Sequence, residues 1–177
     1  AGRGVVFGSF NNFTKLNDRV LRAWAEILRR VPESRLFLKT EVFSYADASA
    51  EAMHRLAEAG IPCARVDTEG ASRDYLAAYN HVDIALDPFP YPGGGTTCDV
   101  LYMGVPVVTL AGESLGSRFG ASLAENIGAG ALVARTIEEY VDRAVSLAND
   151  PALLDALHTG LRQMMERSPV MDAAAYG

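Results

Sequence analysis

The sequence predicts an α/β fold, a Rossmann-like parallel sheet with helices on both faces. Three observations carry that expectation. Short, mostly apolar runs rich in β-formers alternate with amphipathic stretches of about ten residues, the pattern of β-α-β crossovers. The runs are apolar on both sides, as strands covered on both faces are. Finally, the segment Asp87-Pro-Phe-Pro-Tyr-Pro-Gly-Gly-Gly-Thr-Thr-Cys-Asp99 joins the end of one apolar run to the start of a helical one. That is the rim on which such sheets bind ligands.

The elements follow in order. Residues 5–10, Val-Val-Phe-Gly-Ser-Phe, read as a first buried strand. Asn17 and Asp18 can cap a helix whose inner stripe is Val20, Leu21, Trp24, Ile27, Leu28 and Val31, ended by Pro32. Trp24 on that stripe is expected in the core. A second strand spans 35–39, and a second helix spans 48–59, closed by Gly60. A weaker third strand is expected over 63–66, a short helix over 73–79 and a fourth strand over 82–87. The glycine-rich segment then opens a helix over 96–103 that stops at Gly104, a natural left-handed cap. A fifth strand covers 106–110. Helices follow over 117–127, 137–149 and 151–167, with a short strand near 132–134. No repeat, low-complexity tract or linker divides the sequence, so residues 1–177 are expected to form a single domain.

Composition narrows the partners. A chain of 177 residues, 49% hydrophobic, can bury a sizeable core. A net charge of -6 speaks against a nucleic-acid-binding face, and Lys and Arg are scattered rather than gathered into a membrane anchor. The apolar runs are too short to span a bilayer, and the start lacks a signal-peptide layout. Cys63 and Cys98 make neither a disulfide framework nor a zinc site; they read as reduced thiols packed as small hydrophobes, pointing to the cytoplasm. His54, His81 and His158 lack ligand spacing, so no metal is expected. A dinucleotide fingerprint and a Walker lysine are both missing, and neither Ser114 nor Ser122 sits in a nucleophile elbow.

What remains is an anion site. Gly94 and Gly95 let the backbone approach a ligand closely, and Thr96 and Thr97 supply hydroxyls and N–H groups where a helix begins. Free N–H groups and the positive end of the helix dipole favour phosphate there. Asp99, one turn inside, repels phosphate but can accept hydrogen bonds from ribose hydroxyls. The loop after the first strand lies on the same edge. Its Asn11 and Asn12 can hydrogen-bond a base, sugar or phosphate, and Lys15 can set a point charge on a diphosphate. If the reaction is glycosyl transfer, charge builds on the departing nucleoside diphosphate, and Lys15 is the catalytic candidate that stabilises it.

At these loops the sequence resembles a known family. Phe10-Asn-Asn-Phe-Thr-Lys15-Leu, Val82-Asp-Ile-Ala-Leu-Asp-Pro-Phe-Pro-Tyr91 and Gly94-Gly-Thr-Thr-Cys-Asp99-Val-Leu-Tyr-Met-Gly-Val-Pro-Val-Val108 look like the C-terminal catalytic half of O-GlcNAc transferase and its bacterial relatives. So does Ala111-Gly-Glu-Ser-Leu-Gly-Ser-Arg118. The resemblance implies the C-terminal, donor-binding domain of a two-domain GT-B enzyme that inverts at the sugar. It implies a UDP-sugar donor, usually UDP-N-acetylglucosamine, with no metal or other cofactor, and a protein acceptor held by an N-terminal half. By position it gives Lys15 to the donor diphosphate, with Asn12 nearby. Gly95, Thr96 and Thr97 fall on the phosphate loop, Asp99 on the ribose, and Lys39 and the segment 70–75 with Tyr75 on the uridine. Departures are Gly94 and Tyr75, each where some members carry histidine, and Ser72 and Ala78 in place of basic residues. The resemblance also implies a continuing helix beyond Tyr176-Gly177, and little transfer by this half alone. Two other readings stay open: a noncatalytic interaction module that has lost its ligand, and a GT-B transferase with a different donor or acceptor.

Overall fold

The computed structural model describes residues 4–172; the helix expected to follow Tyr176-Gly177 lies outside them. Six strands run β1 (Val6–Ser9), β2 (Arg35–Lys39), β3 (Val66–Glu69), β4 (Ile84–Leu86), β5 (Val107–Leu110) and β6 (Val133–Ala134). Six helices alternate with them or follow: α1 (Asp18–Arg30), α2 (Ala46–Glu58), α3 (Gly95–Tyr102), α4 (Phe119–Asn126), α5 (Ile137–Ala148) and α6 (Pro151–Glu166). All pairings are parallel, in the order β3-β2-β1-β4-β5-β6. Right-handed crossovers put α1 and α2 on one face and α3 and α4 on the other. Later helices complete both layers: α5 packs beside α1, and α6 beside α3.

Local chemistry sets the helix ends. The Asn17 side chain accepts the N–H groups of Arg19 and Val20, Thr136 accepts that of Glu139, and Asp150 accepts that of Leu153 just after Pro151. Gly60 and Gly104 adopt φ of 91° and 82° past α2 and α3, the left-handed caps their positions require. Between the layers lie Phe7, Trp24, Leu36, Ile84, Val108 and Tyr140, all essentially buried. Gly8 keeps β1 close to the chain entering β4, since a Cβ there would meet Val82 Cγ2 at 2.4 Å.

Four expectations are corrected. The third strand begins where the expected one ends: residues 63–65 form a 3₁₀ turn after Pro62, and the strand is Val66–Glu69. It is an edge strand, so its alternate residues are polar and carry no apolar signal. They instead pair with β2, Arg35 forking onto Asp67 at 2.6 and 2.7 Å. The helix expected over 73–79 is a 3₁₀ segment, Leu76–His81, lacking a side-chain cap. The helix expected from 117 starts with a 3₁₀ turn, Gly116–Arg118, because Ser114 and Ser117 bond each other and tighten the entry. Cys63 is exposed rather than packed, whereas Cys98 is half-buried against the core.

Candidate functional site

β1 sits between β2 and β4, so the chain leaves β1 for one side of the sheet and leaves β4 for the other. The loops after these two strands leave the carboxyl edge on opposite sides of the sheet, at the switch point where doubly wound sheets take ligands; the hollow enclosed there by Ser9, Asn11, Asp87 and Thr97 is small, about 10 Å³. The loop after β1 carries Asn11, Asn12 and Lys15, and the loop after β4 is the glycine-rich turn. Topology therefore brings together the two segments singled out from the sequence.

Lys15 faces the turn. Its Nζ donates to the Pro92 carbonyl at 3.2 Å and to Asn11 Oδ1 at 3.4 Å, with the side chain only partly buried. The residue lies in a short 3₁₀ turn, Phe13–Lys15, capped by Asn12, whose Oδ1 accepts the Thr14 N–H at 3.0 Å. Asn12 itself is exposed. Opposite, the first i→i−4 bond of α3 runs from Cys98 N–H to the Gly94 carbonyl. The N–H groups of Gly95, Thr96 and Thr97 precede it and have no partner within the helix. A Cβ built on Gly95 would meet nothing within 4 Å, so the backbone there borders open space; one on Gly94 would touch only the Phe119 ring, at 3.7 Å. An ammonium and a helix N-terminus thus border one mouth, suited to a diphosphate.

The two threonines divide. Thr96 is partly exposed at the mouth, whereas Thr97 is buried, its Oγ1 where a Cβ on Gly93 would approach to 2.3 Å. The Thr97 hydroxyl therefore supports the turn from behind. Asp99 stands one turn along α3, partly exposed, and its Oδ2 accepts the Tyr75 hydroxyl at 3.4 Å. Tyr75 is exposed and meets Tyr79 edge-on, with ring centroids 6.5 Å apart.

Lys39 plays a different part. It is 6% exposed, and its ammonium donates to Glu69 Oε1 at 2.5 Å, the Gly70 carbonyl at 3.0 Å and Ser72 Oγ at 2.7 Å. Those bonds use all three of its hydrogens. The Lys39 hydrogen bond also holds the Glu69 carboxyl below the usual carboxylate range. Lys39 and Glu69 are register partners in β2 and β3, so the pairing follows from the sheet. Its effect on the site is to pin residues 69–72, which lead to Tyr75.

One residue of the motif has a role at the site that the sequence alone does not give it. Asp87, directly after β4 and 2% exposed, accepts the Gly93 N–H at 2.7 Å and the Thr109 hydroxyl at 2.9 Å. A carboxylate closing an otherwise apolar strand was the available signal. Burial pushes its pKa up to about 7, against lowering by the Gly93 N–H, the Thr109 hydroxyl, the Lys15 ammonium and the Thr97 hydroxyl. The native state therefore holds a proton here that the unfolded chain, with the ordinary value 3.8, has released. Stability contributed by this group is present below about pH 4 and is lost as pH rises to about 7, by up to about 4 kcal/mol. Urea melts at intervals across that range should show the decline in the parent chain and a flatter profile in Asp87→Asn.

Among the described residues, no three His, Cys, Asp or Glu side chains gather as a metal ion would require, and none of the helices is long and apolar enough to cross a membrane.

A doubly wound sheet with a ligand switch point is common to many nucleotide-binding proteins; solved structures narrow the class to GT-B glycosyltransferase domains. WaaG, a glycosyltransferase of lipopolysaccharide biosynthesis, superposes with a TM-score of 0.67 over 95% of this chain and 44% of its own; at 15% identity it speaks for the fold alone. Residues 2–177 match Glycosyl transferase family 41, and the chain belongs to that family. A mutant of Thermobaculum terrenum O-GlcNAc transferase is similar at a TM-score of 0.87 and 38% identity, over 94% of this chain and 32% of that one. The Hordeum vulgare protein named "Probable UDP-N-acetylglucosamine--peptide N-acetylglucosaminyltransferase SPINDLY" is 42% identical over 175 residues, 97% of this chain and 18% of that protein. The Caenorhabditis elegans UDP-N-acetylglucosamine--peptide N-acetylglucosaminyltransferase is 30% identical over 97% of this chain and 15% of its own length. The chain thus spans less than a fifth of these two relatives.

Proposed function

We propose that this chain is the donor-binding domain of a protein O-glycosyltransferase and takes UDP or a UDP-sugar, UDP-N-acetylglucosamine above all. One observation carries the reading: Lys15 Nζ lies 3.2 Å from the Pro92 carbonyl, so its charge stands at the glycine turn that opens α3. The names of the family relatives supply the sugar and the acceptor class. In this reading the N–H groups of Gly95 to Thr97 and the Lys15 ammonium hold the diphosphate. Asp99 takes the ribose hydroxyls, exchanging its bond from Tyr75 for them, and Tyr75, placed by the Lys39-pinned segment, borders the base. When the sugar leaves with inversion, negative charge grows on the diphosphate, and the same groups stabilise it more than they stabilise bound donor. The chain needs no metal for this, since a lysine and a helix N-terminus supply the positive field.

The acceptor protein is assigned to the other half of the parent transferase. Residues 1–177 are one domain of that enzyme, bind donor weakly and transfer little alone. Two free cysteines and the acidic balance favour the cytoplasm, with neither nucleic acid nor membrane as partner.

Calorimetric titration with UDP, GDP and ADP tests the proposal. UDP should bind most tightly of the three, and Asp99→Ala should weaken it about tenfold through the lost charged hydrogen bonds. Tighter binding of GDP or ADP would overturn the choice of base. Absence of heat with all three at millimolar concentration would favour the noncatalytic module.

A further inference from the structure

The Pro92–Gly93 peptide unit is held at both ends. Its carbonyl accepts the Lys15 ammonium at 3.2 Å, and its N–H donates to Asp87 Oδ1 at 2.7 Å. Asp87 is fixed in turn: Oδ2 accepts the Thr109 hydroxyl from β5 at 2.9 Å, and its own carbonyl accepts the Tyr140 hydroxyl at 3.0 Å. The packing is close, since a Cβ on Gly120 would meet Asp87 Oδ2 at 2.3 Å and one on Gly93 would meet Thr97 Oγ1 at 2.3 Å. The carboxyl cannot shift without moving α4, and the peptide cannot rotate without losing both bonds. With the Gly93 N–H drawn inward, the N–H groups that follow are left for a ligand.

We propose that Asp87 is the positioning residue of the phosphate turn: by capturing the Gly93 N–H it sets the peptide on which Lys15 rests and aims both at one diphosphate. The proposal rests on the donor-site reading for the identity of that ligand. The charged or titratable groups facing Asp87 are Lys15, from the loop after β1, and Tyr140, from α5; β5, α3 and α4 present Thr109, Thr97 and Gly120. Asparagine can keep the arrangement, with Oδ1 accepting the Gly93 N–H and the amide donating to Thr109 Oγ1, whereas alanine cannot.

The test combines amide NMR with UDP titration on the parent chain, Asp87→Asn and Asp87→Ala. In the parent, the Gly93 amide resonance should follow a titration with midpoint near 7, and the Asn variant should abolish it. Asp87→Ala should lose about tenfold or more in UDP affinity, while Asp87→Asn at pH 6 stays within about threefold of the parent. A folded Asp87→Ala chain with parental affinity would overturn the proposal, as would a Gly93 amide in the parent that exchanges with solvent as fast as an unbonded one. Should the alanine variant not fold, the exchange protection of the Gly93 amide and the asparagine rescue decide. A parent chain that ignores UDP while Gly93 still follows Asp87 upholds the anchoring and removes the donor reading instead.

Discussion

Replacing Lys15 by methionine is expected to weaken UDP binding by at least about tenfold, and by up to about a hundredfold. A hydrogen bond from a charged donor to an anion is worth about 1.5–3 kcal/mol, and methionine keeps the length of the stem while removing the charge. Stability should change little, because the ammonium is partly exposed and its two protein bonds, at 3.2 and 3.4 Å, are long. In the intact transferase the loss should fall on kcat, since the diphosphate gains charge as the sugar departs. Calorimetry on this chain and steady-state kinetics on the whole enzyme provide the two readouts. Parental affinity in the methionine variant would mean that the ammonium serves only the Pro92 carbonyl and Asn11.

Trp24→Ala is expected to cost about 3–5 kcal/mol of folding stability, the usual range for deleting a large buried aromatic side chain. Trp24 has no exposed surface, and its Nε1 donates to the Tyr140 hydroxyl at 3.0 Å, which donates onward to the Asp87 carbonyl at 3.0 Å. The truncation therefore opens a cavity between α1 and α5 and frees one end of the chain of bonds supporting the glycine turn. Against a domain stability of about 5–15 kcal/mol, that loss is a large share. Trp24→Phe keeps most of the volume and should cost clearly less. Urea denaturation of both variants checks the order, and a loss below about 1 kcal/mol for alanine would contradict the packing described.

Sequence pattern carried the buried architecture and missed what lies at its edges. β1, β2, β4 and β5 were legible because strands covered on both faces must be apolar, and α1 because its stripe from Val20 to Leu28 is buried throughout. The third strand was misplaced because β3 is stabilised by charge pairs with β2, a cross-strand relation invisible to a one-dimensional scan. The site divides in the same way. Glycines followed by threonines marked the α3 entrance, and chain order put Lys15 on the same rim. Whether a polar side chain faces the ligand or the protein depends on three-dimensional neighbours. The Thr97 and Lys39 side chains are buried: Lys39 bonds the Gly70 carbonyl and Ser72, and the Thr97 hydroxyl lies behind Gly93, which leaves the Thr97 N–H rather than its hydroxyl for the mouth. Asp87, whose partners Gly93 and Thr109 come from two different segments, could be assigned only after β4 and β5 were aligned.

A crystal of the chain soaked with UDP should show the diphosphate seated between Lys15 Nζ and the Gly95 to Thr97 N–H groups, with the ribose hydroxyls on Asp99. UDP bound away from that mouth, for instance in the groove of Arg19, Arg22 and Arg30 between α1 and α5, would contradict the donor-site reading.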